Sequence, residues 1–223
     1  MIDYARQRQV MVEGQVHVND VTDPRILTAM RELPREKFVP AARAELAYVD
    51  EDIPLRASTA GKPARYLIEP MVLAKLVHAL SLTASDHVLD IGCASGYSAA
   101  LLGRLAGNVV ALEEDAEFLP IATRLLASVG ATNVKVVGGP LTAGWPKEGP
   151  YDAILLQGSV EIMPAALTDS LKDGGRLAAV VGSGRSAKAT IYLRSGQVVS
   201  ARPVFDAAMP PLPGFAAPRE FVF

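Results

Sequence analysis

From Asp86 to Gly182 the chain alternates short apolar runs with helical stretches, and this pattern restricts its possible folds more than anything else in it. The runs HVLDIG, NVVALE, NVKVVG, YDAILLQG and GGRLAAVVG are brief, rich in Val, Ile, Leu and Ala, and bounded by Gly, Asn or Asp. Strands of a parallel sheet read this way, because helices cover both faces and neither face can stay polar. Helical patterns fill the gaps at 97–105, 116–129 and 164–171. Strand and helix in alternation require right-handed crossovers, so the expected class is α/β with a doubly wound, mostly parallel sheet. After Ala187 the alternation stops, and ATIYLRSGQVVSARPVF, with Ser-Gly at its centre, predicts an antiparallel hairpin on one edge. The proline-rich MPPLPGFAAPREFVF is expected to wrap the surface.

Ahead of the sheet, residues 4–46 read as helical, with Asp23-Pro24 supplying a cap and a first-turn proline and Pro34 ending that helix. Residues 50–70 hold three prolines, Gly61 and little periodicity, so an irregular loop is expected, placed to act as a lid. Apolar residues return at helical spacing over 71–82. The organisation expected is one domain, with a helical segment and active-site loop (1–82) packed on an α/β core with its hairpin and tail (83–223). Half of the 223 residues are hydrophobic, which excludes an intrinsically disordered chain. A net charge of -2 offers no field for gripping phosphate backbones, and no stretch approaches the roughly 18 apolar residues of a membrane span. Neither nucleic acid nor membrane is therefore an expected partner. The opening MIDYARQRQV lacks an apolar targeting core, and the lone Cys93 allows no internal disulfide, so a cytoplasmic protein is expected. His17, His78 and His87 lack metal-ligand spacing, and no metal is expected.

The densest chemical signal is VLDIGCASGY, where a strand ends at Asp90 and passes through Gly92, Cys93, Ala94, Ser95 and Gly96 into a helix. Small residues there let a ligand approach the backbone at the carboxyl edge of the sheet, where nucleotide-like molecules bind. A phosphate-binding P-loop is excluded, since the Gly61-Lys62 pair runs into Pro63. A dinucleotide fingerprint is disfavoured by Ala94 and Tyr97 where glycines belong. S-adenosylmethionine fits better: it has no pyrophosphate and needs a small-residue loop beside its amino-acid tail and an acid for its ribose. Glu113, ending the next strand, is the candidate acid, with Glu114 following it, and Gln157 at the end of YDAILLQG joins the cofactor set. Methyl transfer from a sulfonium needs alignment and exclusion of water more than a strong base, so no catalytic triad is expected and the catalytic residue is left unassigned.

These letters together resemble the protein-L-isoaspartate O-methyltransferase family from about Met11 to Gly182, with weaker traces to Gly214. The likeness is carried by AMRELPREKFVP and ELAYVDEDIPL before the cofactor loop, then by VLDIGCASGYSAALLGRL, NVKVVGG followed by GW, YDAILL and LKDGGRLAAVVG in family order. The resemblance implies a class I methyltransferase (Rossmann-like) sheet, S-adenosylmethionine as cofactor, and methyl esterification of isoaspartyl carboxylates in damaged proteins. Three departures cluster near the crevice. The family's Gly-Gln-Thr-Ile-Ser-Gln-Pro, whose hydroxyls line the methyl-transfer site, is replaced by a longer segment that puts Tyr66, Ile68 and Glu69 at the threonine, serine and glutamine positions. Ile68 has neither donor nor acceptor. Arg65, beside them, is a candidate partner for a substrate carboxylate. Gly139-Pro140-Leu141 stands where the family's Gly-Asp-Gly receives the adenine amino group, and Ala94 replaces the middle glycine of the loop, making a positive φ costly. The reading is thus a carboxyl O-methyltransferase of isoaspartyl type; the alternative is a non-catalytic or re-specialised cofactor-binding module, or a methyltransferase for another acid.

Overall fold

Nine strands and six α-helices organise the computed structural model, which describes residues 2–218. In chain order they are α1 (Tyr4–Met11), α2 (Pro24–Glu32), β1 (Ile53–Arg56), β2 (Arg65–Leu67), α3 (Pro70–Ala79), β3 (His87–Ile91), α4 (Tyr97–Gly103), β4 (Asn108–Glu113), α5 (Phe118–Ser128), β5 (Val134–Gly138), β6 (Tyr151–Val160), α6 (Ala165–Asp169), β7 (Leu171–Val181), β8 (Lys188–Ser195) and β9 (Val198–Asp206). Seven strands form one sheet in the order β5-β4-β3-β6-β7-β8-β9. The five apolar runs are its parallel strands, and β8 and β9 add antiparallel at the edge as the Ser-Gly turn predicts. The strand order reverses direction between β3 and β6, so the crevice expected of such sheets lies over their carboxyl ends.

Alternation along each strand divides the interior. Val88, Val109, Ala111, Ala153 and Leu155 face one layer, which they share with Met11, Val16, Met30, Leu73 and Leu101. Leu89, Ile91, Val110, Leu112, Ile154 and Leu156 face the other, where Leu141, Leu167, Leu212 and Phe215 complete the packing. The N-terminal segment therefore belongs to the same core as the sheet. In α2, Asp23 accepts from the Arg25 backbone amide at 2.9 Å with Pro24 in the first turn, and Ile26, Leu27, Ala29 and Met30 are buried. Leu33, extended before Pro34, ends it.

Two expectations need correction. Residues 50–70 are not an irregular loop throughout: β1 and β2 pair antiparallel, Ile53 with Leu67, because both side chains are buried and anchor a short ribbon. The tail does not simply wrap the surface. Met209, Leu212 and Phe215 are buried, and the chain is fixed to the end of β6 by Ser159 N–H to the Pro210 carbonyl and Leu212 N–H to the Ser159 carbonyl, each 2.9 Å. The end of that tail, 219–223, lies outside the described residues. Among the described residues no helix is long and apolar enough to cross a membrane, and no cluster of three His, Cys, Asp or Glu is placed to hold a metal.

Candidate cofactor site

The loop after β3 takes its shape from three residues in the left-handed region: Gly92 at φ 80°, Ala94 at φ 45° and Gly96 at φ 95°. Two are glycines, which adopt this region freely; Ala94 does so at a cost of roughly 1 kcal/mol or more. What holds Ala94 there is its amide, which donates to Glu113 Oε2 at 2.8 Å. Gly96 caps α4, and a side chain on it would meet Leu126 of α5 at 3.3 Å. Asp90 is wholly buried under the loop, accepting from Ser98 Oγ at 2.6 Å and Gln157 Nε2 at 2.9 Å. Burial outweighs these bonds and pushes its pKa up to about 7. Burial likewise raises the Cys93 thiol well above its ordinary range, which leaves it unreactive. Ser95 Oγ is buried without a partner and borders a cavity of about 350 Å³ lined by Phe38, Leu55, Phe118 and Arg124 among others.

Glu113 sits at the end of β4, next to the loop, because Leu112 pairs with Ile91 in register. It has no exposed surface. Its carboxylate already accepts five hydrogen bonds: two from Arg65, at 2.5 and 2.6 Å, and one each from the backbone amides of Ala94, Glu114 and Asp115. A carboxylate has about four lone-pair sites, so no acceptor capacity is left for a ribose diol. Arg65 is itself only 4% exposed and also donates to the Gly92 carbonyl at 3.1 Å. Arg65, read from the sequence as a candidate partner for a substrate carboxylate, here has its guanidinium engaged within the chain.

Side chains also cover the small-residue face of the loop. A Cβ built on Gly92 would lie 2.7 Å from Leu212 Cδ1, 3.5 Å from Arg65 Nη2 and 3.7 Å from Leu141 Cδ1. Leu141, where the family carries the second glycine after its adenine-binding aspartate, is fully buried. Gly139 is half-buried against the Trp145 ring, Pro140 is exposed, and Glu114 is exposed. The loop and the ribose acid have the residue types that S-adenosylmethionine needs, and with the ribbon seated Arg65, Leu141 and Leu212 lie against them.

On the substrate side, Tyr66 pairs with Pro54 and is half-buried, while Ile68 is buried with its carbonyl held by Arg35 Nη2 at 2.6 Å. Glu69 is half-buried, and burial with help from Asp52, Asp50 and Glu51 lifts its pKa to about 7. These four candidates, Arg65 to Glu69, thus do not converge on one open pocket. Sequence reasoning missed Arg56, Lys62 and Leu212. At the rim, Arg56 pairs with Asp115 and Glu117, and Lys62 pairs with Glu117. The readable signal was charge: three cations in the ribbon segment answer three of the four acids between 113 and 117. Leu212 had no comparable signal.

A family model described as protein-L-isoaspartate(D-aspartate) O-methyltransferase matches residues 6–209. The protein-L-isoaspartate O-methyltransferase of Rhodopseudomonas palustris is 40% identical over 183 residues, covering 82% of this chain and 81% of the relative. Protein-L-isoaspartate O-methyltransferase 2 of Shewanella sediminis is 39% identical over 180 residues, covering 81% and 71%. Among solved structures, a protein-L-isoaspartate O-methyltransferase superposes with a TM-score of 0.80 at 24% identity, covering 93% of this chain and 66% of that one. Another, from Plasmodium falciparum and described as putative, was solved with S-adenosyl-L-homocysteine; its TM-score is 0.75 at 18% identity, covering 92% and 97%. The structural likenesses establish the class I methyltransferase sheet, and the sequence relatives establish more: the chain belongs to the protein-L-isoaspartate O-methyltransferase family, whose members are S-adenosylmethionine-dependent methyltransferases.

Proposed function

We propose that this protein is a carboxyl O-methyltransferase that takes its methyl group from S-adenosylmethionine and esterifies isoaspartyl carboxylates in damaged proteins. The observation that carries this is the retained sequence frame of the family over most of the chain, including Asp90, Gly92, Gly96 and Glu113 in the loop-and-acid arrangement. On this reading Asp90, Gly92, Ala94, Ser95, Gly96 and Gln157 shape the tail end of the cofactor site, Glu113 and Glu114 its ribose end, and Gly139 and Pro140 its adenine end. The ribbon segment from Arg65 to Glu69 borders the substrate. The setting proposed is the cytoplasm, in keeping with a single buried thiol.

The test offers the full chain S-adenosylmethionine labelled in its methyl group, together with an isoaspartyl peptide and, separately, the normal aspartyl peptide of the same sequence. Base-labile label in the isoaspartyl peptide alone is the expected result. Label in neither peptide, over a range of cofactor up to millimolar, overturns the isoaspartyl assignment.

A further inference from the structure

Building on the proposed methyl transfer, we infer that Arg65 is an internal competitor for the cofactor's ribose site, and that the β1–β2 ribbon must lift before the cofactor or its demethylated product binds. Four observations converge on this. The ribose acid Glu113 is saturated, with two of its five bonds coming from Arg65. The same guanidinium, through Nη2, reaches the Gly92 carbonyl and so lies across the loop as well as the acid. Leu212 and Leu141 fill the face of Gly92 that a ligand must approach. Finally, Arg56 and Lys62 fasten the ribbon to Asp115 and Glu117, so every cation between 56 and 65 bridges to the acids at the end of β4 and just beyond it.

The fastening is weakest at the outer turn. Lys62 and Glu117 are about half exposed, so solvent screens their pairing, while Arg56 and Asp115 beside them are largely shielded. Arg65 and Glu113 are buried, where removing one partner of a pair is strongly felt. The ribbon itself is joined by three register pairs, with a break between Pro54 and Arg56. A short ribbon on few pairs can move as a unit while the sheet beneath stays fixed. Because ligand and arginine contend for one carboxylate, the apparent dissociation constant is raised by the reciprocal of the open fraction; a site open about 1–10% of the time binds roughly ten to a hundred times more weakly than a permanently open one.

The experiment titrates S-adenosyl-L-homocysteine into the full chain by calorimetry for wild type, Arg65→Ala and the rim double variant Arg56→Ala/Lys62→Ala, each checked for native circular dichroism. Hydrogen exchange is followed over residues 53–67 of the wild type with and without the ligand. Arg65→Ala is expected to bind at least tenfold more tightly than wild type, the rim variant about two- to fivefold more tightly, and exchange over 53–67 to rise on saturation. Equal or tighter binding by the wild type overturns the inference, as does no binding by either wild type or folded Arg65→Ala, and so does unchanged exchange in the saturated wild type. If Arg65→Ala does not fold, the rim variant and the wild-type exchange decide. Ligand binding in the expected order, with no methylation of the isoaspartyl peptide by the wild type at saturating cofactor, defeats the proposed function while leaving this inference standing.

Discussion

At the scale of single residues, Asp90 keeps a proton that an exposed aspartate releases. Its pKa stands at about 7 in the folded chain against 3.8 ordinarily, chiefly through burial. Between these values the native state holds the proton and the unfolded chain does not, so the stabilisation is full below about 3.8 and lost as pH rises through about 7. Glu69 acts with the same sign, from 4.5 to about 7. The urea midpoint is therefore expected to fall between about pH 5 and about pH 7.5, Asp90 contributing on the order of 2–4 kcal/mol, and to fall less in Asp90→Asn. Parallel curves for the two proteins refute this. The residues of the loop were legible from sequence because their constraint is local: strand, small residues, helix, within ten positions. The pairing of Arg65 with Glu113 was not, since the partners are 48 positions apart and neither residue's neighbours announce it.

At the scale of elements, the parallel strands and the edge hairpin could be read directly, since burial on both faces leaves continuous apolar runs and the turn carries Ser-Gly. The ribbon could not, because three- and four-residue strands containing Pro54, Arg56 and Arg65 show no alternation to read. Nor could the tail, whose prolines suggest a surface strap although Leu212 is packed against Gly92 and Gly158. Leu212→Ala is expected to cost about 2–5 kcal/mol, measured by urea denaturation, as for other buried leucines. A loss under about 0.5 kcal/mol contradicts the packing described. Gly158→Ala probes the same junction from below: its Cβ would stand 3.0 Å from both the Leu212 amide nitrogen and the Pro210 carbonyl oxygen. Backbone cannot yield like a side-chain tip, so a cost of about 1–3 kcal/mol and faster exchange at 210–215 are expected.

For the whole molecule, one hydrophobic cluster runs from Met11 and Val16 through α2 and α3 to Val88, Ala111 and Leu155 of the sheet. The N-terminal segment and the sheet should therefore unfold together, and transitions followed by Trp145 fluorescence and by far-ultraviolet circular dichroism should coincide. An earlier loss of ellipticity would mean the helices melt alone. Arg35 ties these layers at one point. Fully buried, it donates Nε to the Ala47 carbonyl at 2.7 Å and Nη2 to the Ile68 carbonyl at 2.6 Å, with its guanidinium 4.8 Å from the centre of the Tyr97 ring. That clasp fixes one end of β2 next to Leu67, while the turn around Gly61 has open space about it. The ribbon is thus packed into the core at its Ile53–Leu67 end and held at its outer turn by charge alone. If it lifts about the packed end, Lys62 travels a wide arc and Arg65 a narrow one, so a pull on the outer turn would work on the buried guanidinium with the advantage of a lever.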